Sequence, residues 1–347
     1  MKELIFIYGA GNMGLAALHI LKSRGIEVSN IIDGNEKKHG QMIEDIRIVS
    51  MDAIPMDHRK NVHIIVAVSA VPFQKLFSVL QEKGYEYITP AGDYLKQIIG
   101  KPIVNVWNME SSAANLLVSE ADKYFKEDIS LKNWRAAVGW FEGRDEAKYI
   151  DVLPVLDREK YFPAFLVDKL AGCKTMLDIS FLDGEYTQKF LQLNNQGTVY
   201  AFQLTPNSEI RKQDKEIWRD NVFIMNEELY SEAGKHKLKR IGIMDPFTKD
   251  AEYVTNCTTI DEYFSSIKVD FVRGYSMEPI LPILKNGLSM IFRDRPIIAF
   301  NISHYKSDFE NIFSFLETMK EVYSFKFRLH SYQGNDCIVY AIPKEDK

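Results

Sequence analysis

The sequence has few cysteines, no long apolar run and no excess of positive charge, and each absence excludes a class of protein. Three cysteines, Cys173, Cys257 and Cys337, lie far apart along the chain, so neither a disulfide framework nor a close-paired zinc site is expected. The apolar stretch that follows Met1 is too short for a signal peptide or a membrane span. We therefore expect a cytoplasmic protein with buried thiols, no metal site and no membrane association.

Positive charge is not in excess: the formal net charge of the 347 residues is -5. Nucleic-acid binding normally needs clustered lysine and arginine, so no nucleic-acid partner is expected. One local basic run over residues 235–240 precedes an apolar stretch. We interpret it as a solvated or edge strand.

The remaining composition is that of a folded globular protein, with 46% hydrophobic and 26% charged residues. A chain of this length exceeds one compact domain. Apolar runs that end in turn residues alternate with segments of helical spacing, which predicts parallel sheets with helical crossovers. The predicted strands are residues 4–8, 28–32, 62–68, 175–179, 198–202, 222–225, 271–273, 297–302 and 337–342.

Between about residues 100 and 160 the pattern changes to helices. We therefore predict an α/β protein with two Rossmann-like parallel-sheet domains joined by a helical connector. The predicted boundaries are a nucleotide-binding domain over residues 1–99, the connector over 100–160 and a second domain over 161–347.

A glycine motif lies directly after the first predicted strand. Gly9, Gly11 and Gly14 match G-x-G-x-x-G and open a helix, which is the context that dinucleotide binding requires. Asp33 ends the second strand, 19 residues after Gly14, near the offset of about 20 at which an acid binds a ribose. The alternative is that the glycines serve only a sharp turn and that Asp33 caps its own loop. Both interpretations stay open.

Three segments of this region carry a resemblance: Tyr8-Gly9-Ala10-Gly11, Ile31-Ile32-Asp33 and the strand over residues 64–68. They resemble the nucleotide-binding domain at the front of sugar acetyltransferases of bacterial glycan pathways and of nucleoside-diphosphate-sugar enzymes. The resemblance covers about the first 95 residues. It implies binding of a nucleotide or nucleotide-sugar without hydride chemistry.

The chain from Tyr161 to its C-terminus resembles the FkbM family of S-adenosylmethionine-dependent methyltransferases, which O-methylate sugars, polyketides and other small hydroxylated acceptors. Order and spacing of the matching segments agree throughout. The resemblance implies a methyltransferase fold, S-adenosylmethionine as cofactor, and a small-molecule or glycan acceptor. The segments that carry it are residues 177–187, 199–203, 258–263, 269–273, 302–304, 308–309 and 339–341.

Several of the family's cofactor positions have changed. The Asp-x-Gly-Ala-x-x-Gly turn runs from Asp178 to Gly184 and keeps both end residues, but Ser180 and Phe181 replace the small central ones. Larger side chains there would narrow the cleft. Gln203 stands where the family has the acid that binds ribose, and a neutral amide binds hydroxyls less strongly than a carboxylate.

A third motif has also lost its acids. The family's Lys-x-Asp-x-Glu-Gly-x-Glu segment begins here at Arg273, and its three acids are replaced by Tyr275, Met277 and Ile280. Glu278 stands at the family's glycine, and as aligned it does not take the place of an acid. By this resemblance, Asp178, Gly184, Gln203 and Arg273 would hold S-adenosylmethionine, and we expect its binding to be weak or absent.

Four polar residues near predicted strand ends, His304, Lys306, Asp308 and His330, are interpreted as surface or turn residues rather than functional ones. Alternation over residues 323–330 predicts a half-buried strand with Lys326, Arg328 and His330 outward.

Three functions remain open. The chain is an O-methyltransferase of bacterial glycan or small-molecule modification with weak or lost activity, a catalytically inactive nucleotide or nucleotide-sugar binding protein, or an NAD-dependent sugar-modifying enzyme. The third has the least support, because no Tyr-x-x-x-Lys pair or comparable proton relay follows the first domain within reach. The residues identify no catalytic side chain, and they leave the acceptor and the oligomeric state open, a homo-oligomer included.

Overall fold

The computed structural model describes residues 4–68, 71, 73–99, 109–143, 160–181, 184–203, 220–225, 227–240, 251–276, 278–330 and 336–345. The chain divides into two compact units, the first comprising Met1–Val106 with Lys239–Ala251 and the second Trp107–Leu238 with Glu252–Lys347. Each unit combines helices with a main sheet of mostly parallel strands, six-stranded in the first unit and seven-stranded in the second. The predicted fold class is thereby confirmed.

The first unit is a doubly wound sheet of six described strands in the order β3-β4-β2-β1-β5-β6. All neighbouring strands are parallel except β3 and β4. One apolar cluster covers each face of the sheet. The elements are β1 Leu4–Tyr8, α1 Asn12–Ser23, β2 Val28–Ile32, β3 Met42–Ile43, β4 Ile46–Val49, α2 Met56–Arg59, β5 Val62–Val66, α3 Phe73–Glu82, β6 Tyr87–Pro90 and α4 Ala91–Ile99.

The helices described in the second unit are α5 Ser111–Tyr124, α6 Asp128–Gly143, α7 Ala164–Leu170, α8 Glu185–Leu193, α9 Ile260–Tyr263, α10 Ile280–Lys285, α11 Leu288–Asp294 and α12 Lys306–Met319. Its strands are β7 Thr175–Phe181, β8 Thr198–Gln203, β9 Val222–Met225, β10 Glu228–Leu229, β11 Gly234–Arg240, β12 Ala251–Thr258, β13 Phe271–Gly274, β14 Ile297–Asn301, β15 Tyr323–Leu329 and β16 Cys337–Pro343.

Seven of these strands form one sheet in the order β15-β16-β14-β13-β7-β8-β9. The strand β16 is antiparallel to both of its neighbours, whereas β7 is parallel to β13 and β8. A separate sheet has the order β10-β12-β11, so β11, which carries the basic run, lies at a sheet edge as predicted.

The described part of the predicted connector consists of α5 and α6, which confirms its helical character. Both helices contribute to the same apolar core as the seven-stranded sheet. Trp134 of α6 stacks on Phe309 of α12 with ring centroids 4.7 Å apart. These two helices are therefore part of the second unit. Residues 100–108 and 144–159 of the predicted connector lie outside the described residues.

Helix α6 also covers the edge strand β15. The Ser130 hydroxyl accepts a hydrogen bond from the Phe327 N–H at 2.9 Å. The side-chain amide oxygen of Asn133 accepts one from the Leu329 N–H at 2.9 Å. Edge strands expose unpaired N–H groups that invite pairing with other chains. Two side chains of one helix satisfy these donors and close this edge of the sheet.

This covering corrects the predicted orientation of β15. Arg328 is 6% exposed and His330 8% exposed, so neither points into solvent as the alternation had predicted. The Arg328 guanidinium pairs with Glu127 at 2.5 Å, and the His330 ring contacts the Tyr340 hydroxyl at 2.7 Å. A strand face that a helix covers buries polar residues when each one has a partner.

We expect Asn133→Ala to lower the free energy of unfolding by about 1–3 kcal/mol, because it leaves the buried Leu329 N–H without an acceptor. Asn311→Ala is the matched control: both side chains donate to a carbonyl four residues earlier in their own helix, but Asn311 is exposed. Chemical denaturation of each variant measures the difference. Equal losses for the two variants would show that covering of the edge strand contributes nothing.

Candidate functional site

The glycine turn joins the end of β1 to the start of α1. Gly9 has a φ of +117°, a left-handed conformation that side chains disfavour, and a Cβ there would lie 2.6 Å from the Ala67 carbonyl oxygen. A Cβ at Gly14 would lie only 1.8 Å from the Gly9 carbonyl oxygen. These two glycines are required by the fold, since they let the first turn of α1 approach the end of β1.

Gly11 has a different role. A Cβ at this position would meet no atom within 4 Å, and its backbone is extended. It is the N-cap of α1 and supplies no side-chain cap hydrogen bond. The first N–H groups of a helix attract anions, and the helix dipole adds to this attraction. The turn therefore presents the N-terminus of α1 to open space at the one glycine of this motif that packing does not require.

Asp33 lies beside this turn, because β1 and β2 are parallel neighbours whose carboxyl ends meet. Its carboxylate accepts hydrogen bonds from the Ala10 N–H at 2.8 Å, the Asn35 N–H at 2.8 Å and the Lys38 ammonium at 3.1 Å. Partial burial favours the protonated acid, but these three donors outweigh it and hold the pKa of Asp33 below its ordinary value. Asp33 is therefore an anion at neutral pH.

Both interpretations of Asp33 have support in this geometry. The bond from Asn35 caps its own loop, whereas the bond from Ala10 ties the carboxylate to the glycine turn. A carboxylate accepts about four hydrogen bonds, and the described donors fill three. Lys38, which the sequence reasoning missed, also donates to the Ala10 carbonyl oxygen at 3.1 Å. Its spacing from Asp33 gave no signal, because only the folded loop brings it back to the turn.

In the second unit, a buried ion pair connects two of the predicted cofactor residues. Arg273 of β13 donates to Asp178 of β7 at 2.6 Å, and the Thr187 hydroxyl donates to the other oxygen of Asp178 at 3.2 Å. The guanidinium carbon lies 4.6 Å from the ring centroid of Tyr161 and 4.3 Å from that of Tyr186. Asp178 is 1% exposed and Arg273 6%. Each charge of this ion pair is therefore compensated by another side chain of the protein itself.

The other predicted cofactor residues of this unit are only partly described. Gly184 is the N-cap of α8 with a φ of +77°, so the backbone at this turn favours glycine whether or not a ligand binds. The strand β8 ends at Gln203. The side chains of Gln203, Ser180 and Phe181 lie outside the described residues, as does Met277.

A half-buried aromatic pair lies near the carboxyl edge of this sheet. Tyr275 follows β13 and His304 follows β14, and their rings meet edge to face with centroids 4.7 Å apart. Burial lowers the pKa of His304 and raises the pKa of Tyr275 to about 12, so both groups are uncharged at neutral pH. The sequence placed these residues at strand ends but did not predict their contact.

Two further residues near the strand ends have structural roles. Asp308 is 3% exposed and accepts hydrogen bonds from the N–H groups of Ile280 at 2.7 Å and Leu281 at 3.1 Å, at the start of α10. Lys306 forms a surface ion pair with Glu310 at 3.6 Å. Lys306 lies at the surface as expected, whereas Asp308 is buried, so the expected surface or turn position was wrong for it.

Two features of these residues bear on their fit to S-adenosylmethionine. The Asp178 carboxylate is already paired with Arg273, and Tyr275 stands where the resembling family has an acid. The cofactor carries an ammonium, a sulfonium and a ribose, which carboxylates in such clefts accept. Among the described residues of the three changed motifs, Asp178 is paired with Arg273 and Glu278 is the one further carboxylate.

Three cysteines, Cys173, Cys257 and Cys337, are buried thiols, as the sequence predicted. Within the described ranges, no group of three or more His, Cys, Asp or Glu side chains is arranged to hold a metal ion. In the same part of the chain, no helix combines the length and apolar character needed to cross a bilayer.

A family model described as a CoA binding domain matches residues 2–90. Comparison with curated proteins finds no match. The structure of methyltransferase FkbM from Methylobacillus flagellatus KT is similar over 98% of this chain and 90% of that chain, with 14% identity and a TM-score of 0.58. The chain therefore shares the fold of this methyltransferase.

Two other solved structures are similar at lower scores. UDP-D-quinovosamine 4-dehydrogenase from Vibrio fischeri matches 29% of this chain and 88% of that chain, with 22% identity and a TM-score of 0.23. Fibrillarin from Aeropyrum pernix, in complex with natively bound S-adenosyl-L-methionine, matches 49% of this chain and 66% of that chain, with 12% identity and a TM-score of 0.32. TM-scores this low support no argument about function.

Burial raises the pKa of Asp308 from 3.8 to about 6, although two backbone N–H groups favour its charged form. An acid whose pKa is raised on folding stabilises the fold at low pH and loses that contribution as pH rises through the folded pKa. We expect the unfolding free energy of the wild type to fall by about 2 kcal/mol more than that of Asp308→Asn between pH 4 and pH 7.

Denaturation of both proteins across this pH range measures the difference in slope, so any constant effect of the substitution cancels. Parallel pH profiles would show that Asp308 ionises as easily in the folded protein as in the unfolded chain.

Proposed function

We propose that this chain is an FkbM-like methyltransferase-fold protein of bacterial glycan or small-molecule modification, whose N-terminal unit binds a nucleotide or nucleotide-sugar. The observation that carries the proposal is the division of roles in the glycine turn. The fold requires Gly9 and Gly14, whereas Gly11 borders open space at the N-terminus of α1. Neither steric crowding nor the backbone conformation requires glycine at this third position.

The match to a CoA binding domain supports the same class of ligand, because coenzyme A contains a nucleotide diphosphate. In the proposed complex, the diphosphate lies over Gly11 and receives hydrogen bonds from the first N–H groups of α1. Asp33 accepts a ribose hydroxyl with its remaining lone pair. Lys38, which already contacts the turn through Ala10, supplies positive charge beside the phosphate.

In the second unit we propose that S-adenosylmethionine binds weakly or not at all. The charge of Asp178 is compensated by Arg273, and the ion pair is enclosed by Tyr161 and Tyr186. A ligand that recruited Asp178 would leave the guanidinium buried without its carboxylate, which is strongly unfavourable. This unit then serves as a scaffold or binds an acceptor without transferring a methyl group.

An active methyltransferase is the second candidate, and His304 favours it. Burial keeps its imidazole neutral near the carboxyl edge of the sheet, beside Tyr275. A neutral imidazole is the form that accepts a proton from a hydroxylated acceptor. The similarity to a methyltransferase over nearly the whole chain is consistent with this candidate but shows the fold alone.

Replacing Gly11 with glutamate should weaken nucleotide binding by at least about tenfold, because the new carboxylate occupies the phosphate position and repels it. The side chain enters open space, so the unit should remain folded. Titration calorimetry against UDP-N-acetylglucosamine, coenzyme A and NAD in turn, with wild type and variant, measures the change.

Gln81→Glu is the matched control for this experiment. It adds the same charge to an exposed residue near the end of α3, at the opposite edge of the same sheet. We expect its affinities to equal those of the wild type. If Gly11→Glu also binds like the wild type, or if the wild type binds none of the three ligands, the glycines serve only the turn.

The affinity of the unmodified protein for S-adenosylmethionine should lie nearer millimolar than micromolar. Loss of two or three charged or sterically open contacts at about 1–2 kcal/mol each shifts a dissociation constant by about this amount, since every 1.4 kcal/mol is about tenfold. Calorimetric titration measures it directly. A low-micromolar dissociation constant, or methyl transfer to a glycan acceptor, would establish the second candidate instead.

A further inference from the structure

A concave surface of the second unit, with a volume of about 390 Å³, is lined by five lysines and one acid. We call it the lysine groove and define it by Lys123, Lys126, Glu127, Lys320, Lys326 and Lys344. Its volume is within the range of about 300–1,000 Å³ that small-molecule sites occupy. The concentration of positive charge is notable in a chain whose formal net charge is -5.

The five lysines come from separate segments of the chain. Lys123 belongs to α5 and Lys126 follows it, Lys320 follows α12, Lys326 belongs to β15, and Lys344 follows β16. Lysine on an edge strand normally protects that edge from pairing with other chains. This explanation covers Lys326 alone, since the other four lie on other elements.

Three of the ammonium groups are compensated by carboxylates. Lys123 pairs with Glu120 at 2.5 Å, Lys320 with Glu317 at 2.6 Å, and Lys326 with Glu127 at 2.6 Å. In each pair at least a quarter of both side chains is exposed, so these ion pairs are weak and can rearrange.

The other two ammonium groups are held by main-chain carbonyls. Lys126 donates to the Asp122 carbonyl oxygen at 2.7 Å, and Lys344 donates to the Lys320 carbonyl oxygen at 2.7 Å. Carbonyl oxygens near helix C-termini carry only partial negative charge. Among the described residues, no carboxylate forms an ion pair with either lysine, so the groove retains at least two positive charges with free N–H donors.

Aromatic rings lie beneath these charges. Tyr124, Tyr323 and Phe325 line the groove and are each at least nine-tenths buried. An apolar floor lowers the local dielectric constant on one side of a bound charge and strengthens its attraction to the lysines. The groove thus combines a low-dielectric floor with a rim of ammonium groups.

We propose that the lysine groove binds a small oxyanion with at least two negative charges. Ammonium groups are compact donors, and they bind phosphate or carboxylate oxygens without a fixed geometry. The ligand is therefore defined by its charge and size, and both phosphorylated and polycarboxylated metabolites have this chemistry. This site is independent of the glycine turn, and it lies in the other unit of the chain.

Pyrophosphate and citrate are the probes that test the proposal, titrated calorimetrically into the full chain carrying Gly11→Glu, so that the glycine turn does not contribute. We expect one site per chain for each probe, weakened as NaCl rises. Lys126→Gln with Lys344→Gln should weaken both probes at least about tenfold. Binding of pyrophosphate alone would assign the site to phosphate groups, and binding of citrate alone to carboxylates.

Two controls keep the test decisive. Lys60→Gln with Lys268→Gln removes two charges from side chains that are 70% and 72% exposed elsewhere, and should leave binding unchanged. Lys126→Arg with Lys344→Arg keeps both charges and should restore binding, which separates lost charge from damage to the helix ends. Absence of binding for both probes, or equal binding by the Gln variant, overturns the proposal.

Discussion

The contact between Gly14 and the carbonyl of Gly9 sets how closely helix α1 approaches the end of strand β1. Any side chain at Gly14 would separate the two elements, since even a Cβ would lie 1.8 Å from the Gly9 oxygen. The N-terminus of α1, the open position at Gly11 and the bond from Ala10 to Asp33 all depend on this approach. The candidate anion site is therefore a consequence of backbone packing, and side chains are added to it only through Asp33 and Lys38.

The second unit uses the same edge of a parallel sheet in a different way. Where the first unit leaves a helix terminus open, the second places Arg273 against Asp178 and encloses the pair between two tyrosines. A buried pair of this kind resists any ligand that needs one of its members, because the other would lose its partner. The shared fold with a methyltransferase thus coexists with a strand-edge site whose charges the chain itself satisfies.

Much of this architecture could be predicted from local sequence. Apolar runs that end at turn residues located the strands β1, β2 and β9 with their observed bounds, and the G-x-G-x-x-G spacing located the turn. Contacts that depend on distant residues could not be found in this way. Ser130 covers Phe327 from 197 positions away, so a rule that places alternate charges in solvent failed at Arg328. The contact of Lys38 with the Ala10 carbonyl and the pair of Tyr275 with His304 were not predicted either, because only the folded chain brings these residues together.

The most direct test of the central claim, that a nucleotide diphosphate binds over Gly11, is a titration followed by backbone amide NMR. The full chain is titrated with UDP-N-acetylglucosamine and, separately, with coenzyme A. Since the first N–H groups of α1 would donate to the diphosphate, the account predicts saturable shifts for the amides of Gly11 and Met13, and for those of Asp33 and Asn35 beside them. Saturable shifts confined to the second unit, or no shifts with either ligand, would contradict it.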